Sequence, residues 1–239
     1  MTKGVIYYTG FGMSLFIMSV CQKVLQSNFD GEIVSVSLNK PLDLGKNIVV
    51  EGERGYPSMI KQILTALEHS TADYVFFCEH DVLYPMSHFS FTPPQDDIFY
   101  YNRNVWRWKF GSDKVIRYDR MLPLSCLCVN REFALEHYKM RKEAVDNVPT
   151  RSFDSRDPIQ VRLWGYEPGL KKIKRGGLSD DDFDTWYSED PVIDIRHKHT
   201  YSPAKITLDS FRHKPLWWEE EALEKAIPGW DLQTLFELA

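Results

Sequence analysis

A chain of 239 residues with 34 Asp and Glu against 29 Lys and Arg carries a formal charge of -5, which argues against nonspecific coating of nucleic acid and leaves room only for a local basic groove. Hydrophobic residues at 43% and charged residues at 26% describe a globular chain able to enclose a sizeable core, expected as a single domain over 1–239. The 4 cysteines, at 21, 78, 126 and 128, sit in apolar surroundings without zinc-site spacing; no stretch approaches membrane-spanning length and no basic leader with a cleavage site is seen, so a reducing, cytoplasmic setting is expected.

Val5 to Thr9 predicts a short buried strand, with Gly10 and Gly12 turning the chain into an apolar-periodic helix from Ser14 to Gln26. A second strand is expected at Glu32 to Ser37 and a shorter one at Asn47 to Val50. A helix from about Tyr56 to His69 follows, with Met59, Ile60, Ile63, Leu64 and Leu67 on one face and Pro57 in its first turn. This alternation predicts a mainly parallel sheet. The apolar run Tyr74-Val-Phe-Phe-Cys78 is a core strand that stops abruptly in Glu79, His80 and Asp81. Asp97 to Lys109 reads as extended, with Val115 to Tyr118 as its hairpin partner across Gly111 to Asp113. Leu122 to Val129 reads as another buried strand, followed by a helix capped by Asn130 and running through Val145. From Pro149 the chain is rich in charge and turns, with a strand at Pro191 to Arg196 and a C-terminal helix over Glu219 to Ala226 that Pro228-Gly229-Trp230 ends.

Two carboxylates at the tip of a core strand need a reason. In an extended chain Glu79 and Asp81 point the same way with His80 opposite, which makes His80 a packed or hydrogen-bonded core histidine rather than a ligand. Hard divalent ions take carboxylate oxygens and are commonly completed by substrate phosphates. Open α/β sheets bind ligands at the carboxyl ends of their strands, where this tip falls. Later, in Ile193-Asp-Ile-Arg-His-Lys-His-Thr200, alternation sets His197 and His199 on the face of Ile193 and Ile195. Lys171, Lys172, Lys174 and Arg175 before Gly176 and Gly177 make either a phosphate-gripping loop or a solvated face. Trp106 and Trp108 share a face of the extended segment, and Trp faces either stack on sugars or bases or fill the core.

The order of elements and the Glu79-His80-Asp81 tip resemble the GT-A nucleotide-sugar glycosyltransferases, particularly bacterial family-2-like members, over roughly the first two-thirds of the chain in layout. The resemblance implies a Rossmann-like α/β fold with a mainly parallel central sheet flanked by helices, a nucleotide-sugar-binding half over 1–110, and a loop-rich acceptor half over 111–239. It implies that Asp81 coordinates Mn2+ or Mg2+ on the donor's diphosphate, that Glu79 lies near the ribose or the metal's water shell, and that His197 or His199 joins Asp81. Arg196 would offset diphosphate charge. Thr9 and Gly10, with Glu53, Arg54, Gly55 and Tyr56, stand where the family contacts the donor base. The family's first-strand Pro-Thr-Tyr-Asn pattern is replaced by Tyr8-Thr9-Gly10-Phe11, so the nucleotide stays open, with a UDP-sugar expected.

An inverting transfer needs a base for the acceptor hydroxyl. Asp154, Asp157, Glu167 and the run Asp180, Asp181, Asp182 and Asp184 are candidates, with Glu167 favoured and Asp157 beside it. The expected acceptor is a glycan or lipid-linked saccharide, with a hydroxylated base in DNA as the alternative. A noncatalytic nucleotide-sugar- or carbohydrate-binding module is the competing class. A nucleotidyltransferase would need a Gly-rich phosphate loop for which Gly10 and Gly12 alone are too little.

Overall fold

The structure, a computed structural model, describes residues 1–119, 121–147, 167–169, 182–198, 200, 205–223 and 227–237. Four strands, β1 (Lys3–Thr9), β2 (Glu32–Leu38), β3 (Lys46–Val50) and β4 (Tyr74–Glu79), run parallel in the order β3-β2-β1-β4. The helices α1 (Leu15–Asn28) and α2 (Tyr56–His69) supply crossovers between them. Beyond β4 the sheet continues through β9 (Leu127–Asn130), β6 (Ile98–Asn102) and β10 (Asp182–Trp186). Only β9 runs against the others in this sheet, pairing antiparallel with both β4 and β6. The expected α/β fold, a mainly parallel central sheet with flanking helices, is what the described residues build.

Burial on both faces explains why these strands read as continuous apolar runs rather than alternating ones. Ile6, Tyr8, Val75 and Phe77 pack on one face against Ile60, Ile63 and Leu67 of α2 and against Tyr138 of α4 (Arg131–Asp146), the helix that follows the single turn α3 (Met86–Phe89) in the chain. Their neighbours Val5, Tyr7, Phe76 and Cys78 point the other way, into a second cluster with Val105, Ile116 and Val192. Asn130 caps α4 as expected, its side chain accepting from the Phe133 amide at 3.2 Å. All 4 cysteines are buried and free. No helix among the described residues is long and apolar enough to cross a membrane.

That second cluster is roofed by a smaller sheet of β12 (Trp218–Ala222), β8 (Lys114–Tyr118), β7 (Val105–Lys109), β11 (Val192–Arg196) and β5 (Val82–Leu83), in that order. Three expectations change here. The extended segment from Asp97 to Lys109 is two strands, broken at Arg103 and Asn104, so that β6 serves the large sheet and β7 the small one; β7 does pair with β8 as a hairpin. The strand expected from Leu122 begins instead with a 3-10 turn at Leu124–Cys126. The helix expected from Glu219 to Ala226 is replaced over Trp218–Ala222 by an edge strand. There Glu219 pairs with Arg117 at 2.7 Å, Lys114 with Glu220 at 2.6 Å, and Trp218 stacks on Tyr118. Cross-strand partners override the helix preference of Glu and Ala. The C-terminal helix is α5 (Leu232–Glu237).

Candidate functional site

A cavity of about 270 Å³ opens at the carboxyl ends of β1 and β4, lined among others by Tyr8, Thr9, Gly10, Arg54, Tyr56, Glu79, His80, Glu167 and Arg196. The chain reaches it by leaving one sheet for the other. β4 ends at Glu79, His80 and Asp81 form a turn, and β5 then pairs antiparallel with β11 in the small sheet. This turn ends the strand alternation, so Glu79 and Asp81 part company.

Glu79 accepts a hydrogen bond from the Tyr8 hydroxyl at 2.6 Å, and its backbone amide donates to the Tyr84 hydroxyl at 3.0 Å. Loss of water and the charges of Asp81 and Asp194 hold its carboxyl well above the usual carboxylate range. Asp81 behaves oppositely. Burial works against its charge, but His80, the hydrogen bond from His197 and the Arg196 guanidinium together keep it below the ordinary carboxylate value.

His197 follows directly from β11, and its Nε2 stands 3.2 Å from Asp81 Oδ2. Pairing of Ile193 with Leu83 and Asp194 with Val82, extended by the Ile195 amide donating to the Asp81 carbonyl at 2.9 Å, brings these residues together across the sequence. His80 joins them: ligand atoms of His80, Asp81 and His197 all lie within 4.8 Å of one another. His80 therefore does not face away from Asp81 as strand alternation predicts. Its Nδ1 is buried without a hydrogen-bond partner among the described residues, and burial lowers its pKa. Two imidazoles and a carboxylate form a donor set that fits a divalent ion.

The cationic groups take separate places. Gly10 and Gly12 lie against the Arg54 side chain so closely that a Cβ at Gly12 would stand 2.5 Å from Arg54 Nε and closer still to the carbon and Nη1 of its guanidinium. Only a residue without a Cβ at position 12 leaves the Arg54 guanidinium where it stands. Arg196 Nη1 lies 3.3 Å from Asp194 Oδ1, while Arg107 Nε donates to Asp194 Oδ2 at 2.8 Å. Burial opposes the Arg107 charge, but Asp194 beside it raises its pKa above the ordinary value. One carboxylate thus sits between two guanidinia at the cavity floor, a pairing that sequence reasoning missed because Arg107 and Asp194 belong to different strands of a sheet it did not foresee.

Other expected residues fall variously. Thr9 lines the cavity, but its hydroxyl is turned inward to accept from the Phe11 amide at 3.1 Å, at a turn where Phe11 takes a φ of 53°. Tyr56 also borders the cavity, yet its hydroxyl meets Arg141 at 3.2 Å, and Arg141 Nε donates to His137 Nε2 at 2.7 Å. Glu167 reaches the cavity wall on a turn whose Pro168 carbonyl accepts from the Tyr101 hydroxyl at 2.6 Å. Trp106 and Trp108 are buried in the core of the small sheet. Asp154, Asp157, the basic run from Lys171 to Arg175, Asp180, Asp181 and His199 lie outside the described residues.

No family model and no curated protein sequence matches this chain. Among solved structures, the glycosyltransferase GlyE of Streptococcus pneumoniae TIGR4 aligns at 10% identity and a TM-score of 0.44, over 77% of this chain and 45% of that one. This chain therefore spans less than half the length of that protein. S. aureus TarS 1-349, in complex with UDP-GlcNAc, aligns at 11% identity and a TM-score of 0.44 over 88% of this chain and 63% of that one. The inositol-1-phosphate CTP transferase from T. maritima aligns at 13% identity and a TM-score of 0.37, over 62% of this chain and 82% of that one. Identities and scores this low name neither reaction nor substrate.

Proposed function

We propose that this chain is a metal-assisted glycosyltransferase of the GT-A kind, moving a sugar from a nucleoside-diphosphate donor to a hydroxyl acceptor. The observation that carries the reading is the meeting of Asp81 and His197, 3.2 Å apart, beside a cavity that also receives Arg54, Arg196 and Glu167. A diphosphate needs positive charge at both its ends, and a sugar or base needs a wall to lie on. Arg54 and Arg196 offer the first, since guanidinium groups match phosphate oxygens. Leu38, Met59 and Tyr8 offer the second.

Asp81 and His197 would hold a divalent ion such as Mn2+, which would supply charge neutralisation to the diphosphate. Glu167 accepts the proton of the acceptor hydroxyl as its oxygen bonds to the anomeric carbon and the bond from that carbon to the diphosphate oxygen breaks. Glu79 lines the same cavity, its side chain held by the hydrogen bond from the Tyr8 hydroxyl. UDP is the proposed nucleotide, and a glycan or lipid-linked saccharide the proposed acceptor.

The test is nucleotide release from a panel of UDP-, GDP-, dTDP- and CMP-sugars with Mn2+, first with water and then with oligosaccharide and lipid-linked acceptors. Release of UDP from one donor, lost in Asp81→Ala, is expected. Binding of a nucleotide sugar with no release against any acceptor would replace transfer by a noncatalytic binding role, and no binding of any donor would end the reading.

A further inference from the structure

The carboxyl end of β4 carries one residue that the proposed reaction leaves without a task. His80 occupies the middle of the acidic tip, where strand alternation assigns it to the opposite side from its neighbours. The turn at residues 80 and 81 brings it back instead. Its ring lines the cavity, its Nδ1 is buried and without a hydrogen-bond partner among the described residues, and it shares a 4.8 Å cluster with Asp81 and His197. A buried ring nitrogen bearing a lone pair is costly to leave unsatisfied, and a cation is one partner that satisfies it.

Glu79, the other carboxylate of the tip, is outside that cluster, and its side chain is engaged by Tyr8. We propose that His80 is a direct ligand of the metal, with Asp81 and His197, and that this set of two imidazoles and one carboxylate selects a transition ion such as Mn2+, Co2+ or Zn2+ over Mg2+. The inference rests on the metal reading of the site made above and specifies its chemistry.

The geometry is compatible with a shared ion. Asp81 Oδ2 and His197 Nε2 stand 3.2 Å apart, and the ligand atoms of all three residues, His80 included, lie within 4.8 Å of one another. Mg2+ favours oxygen ligands and keeps several waters, whereas imidazole suits the later first-row ions, whose affinity for a given nitrogen site rises from Mn2+ towards Co2+. A single carboxylate also leaves a bound divalent ion with net positive charge. That charge is available to an anionic substrate group instead of being cancelled by the protein.

Pulsed electron paramagnetic resonance of the Mn2+-loaded protein, without any sugar donor, counts coordinated imidazole nitrogens directly and needs no turnover. Two are expected in the wild type, one in His80→Gln, one in His197→Gln, and two in His199→Gln. Loss of His80 should weaken Mn2+ binding by at least about tenfold, and Mg2+ at tenfold excess should not displace Mn2+. A spectrum unchanged in His80→Gln removes His80 from the metal while leaving the ion at Asp81 and His197. Loss of a nitrogen in His199→Gln instead would hand its place to that residue. Displacement by Mg2+ at equal concentration would overturn the selectivity, and no bound Mn2+ at all would overturn the metal reading itself. The wild-type count stands whatever the folding of the variants.

Discussion

Gly12→Ala tests whether the structure holds Arg54 where a phosphate needs it. The new Cβ would stand 2.5 Å from Nε and closer still to the guanidinium carbon, against the 3.4 Å at which ordinary contact begins, so the guanidinium must retreat by more than about 1 Å. It can do so cheaply, because the obstacle is the far end of a flexible side chain rather than backbone. Folding stability should therefore change by no more than about 1 kcal/mol. Binding should respond much more strongly. A hydrogen bond from a charged donor to phosphate contributes about 1.5–3 kcal/mol, or about 10- to 150-fold in dissociation constant. Calorimetric titration of UDP in the presence of Mn2+, with thermal melts alongside, should show this weakening in Gly12→Ala and a similar one in Arg54→Ala. The double variant should be little worse than either single one, since both remove the same interaction. Normal UDP affinity in Gly12→Ala, or losses that simply add in the double variant, would refute the idea that this glycine positions Arg54.

Three further outcomes follow from other parts of the molecule. Glu167→Gln should lower kcat about 10²- to 10⁴-fold, as expected for a lost general base, while leaving UDP affinity near wild type; an unchanged kcat removes Glu167 from the reaction. Asp194→Ala leaves Arg107 and Arg196 buried without their shared carboxylate and should cost about 3–5 kcal/mol of stability in urea unfolding, so a loss below about 1 kcal/mol would mean that the guanidinia relax to water. His88 is fully buried, its Nδ1 faces the Asn102 amide nitrogen at 3.0 Å, its Nε2 has no partner among the described residues, and burial pushes its pKa down to about 3. The unfolded chain then binds the extra proton from about pH 6.5 downwards, so stability should fall by about 1.4 kcal/mol per pH unit below that point. Glu79, held protonated in the fold, acts with the opposite sign, favouring the native state as pH falls towards the ordinary carboxylate range. Comparison of wild type with His88→Phe between pH 5 and 7 cancels the Glu79 effect, and parallel pH profiles would remove His88 as a cause of acid sensitivity.

Much of the large sheet was legible in the sequence because buried parallel strands announce themselves as apolar runs and their crossover helices as a 3.6-residue stripe. Val5 to Thr9, Glu32 to Ser37, Tyr56 to His69 and the Tyr74 run all emerge close to the expected places. The small sheet was less legible. Its strands are short, and β12 is written in Glu and Ala, residues that favour helix until Arg117 and Lys114 stand opposite them. The side on which His80 lies was hidden for a different reason: alternation holds only while a strand continues, and nothing local marks the point at which this one turns. The Asp194 pairing with Arg107 and Arg196 was beyond any local signal, because it depends on which strands share a sheet.

The same dependence governs the meeting of His197 with Asp81, residues 116 positions apart in the chain. Their proximity is a matter of register. β5 and β11 pair with Ile193 opposite Leu83 and Asp194 opposite Val82, and the contact continues to Ile195 against Asp81 before the chain reaches His197. Because side chains alternate along a strand, a slip of one residue would turn the His197 face away and present Arg196 in its place. What pins the register is buried material on the two faces of β11: Ile193 and Ile195 in the core of the small sheet, Asp194 between two guanidinia. A slip would exchange these apolar and charged side chains, burying charge in the apolar layer at a cost far above that of the slip itself. The ion pair at the cavity floor therefore also helps fix the position from which His197 meets Asp81.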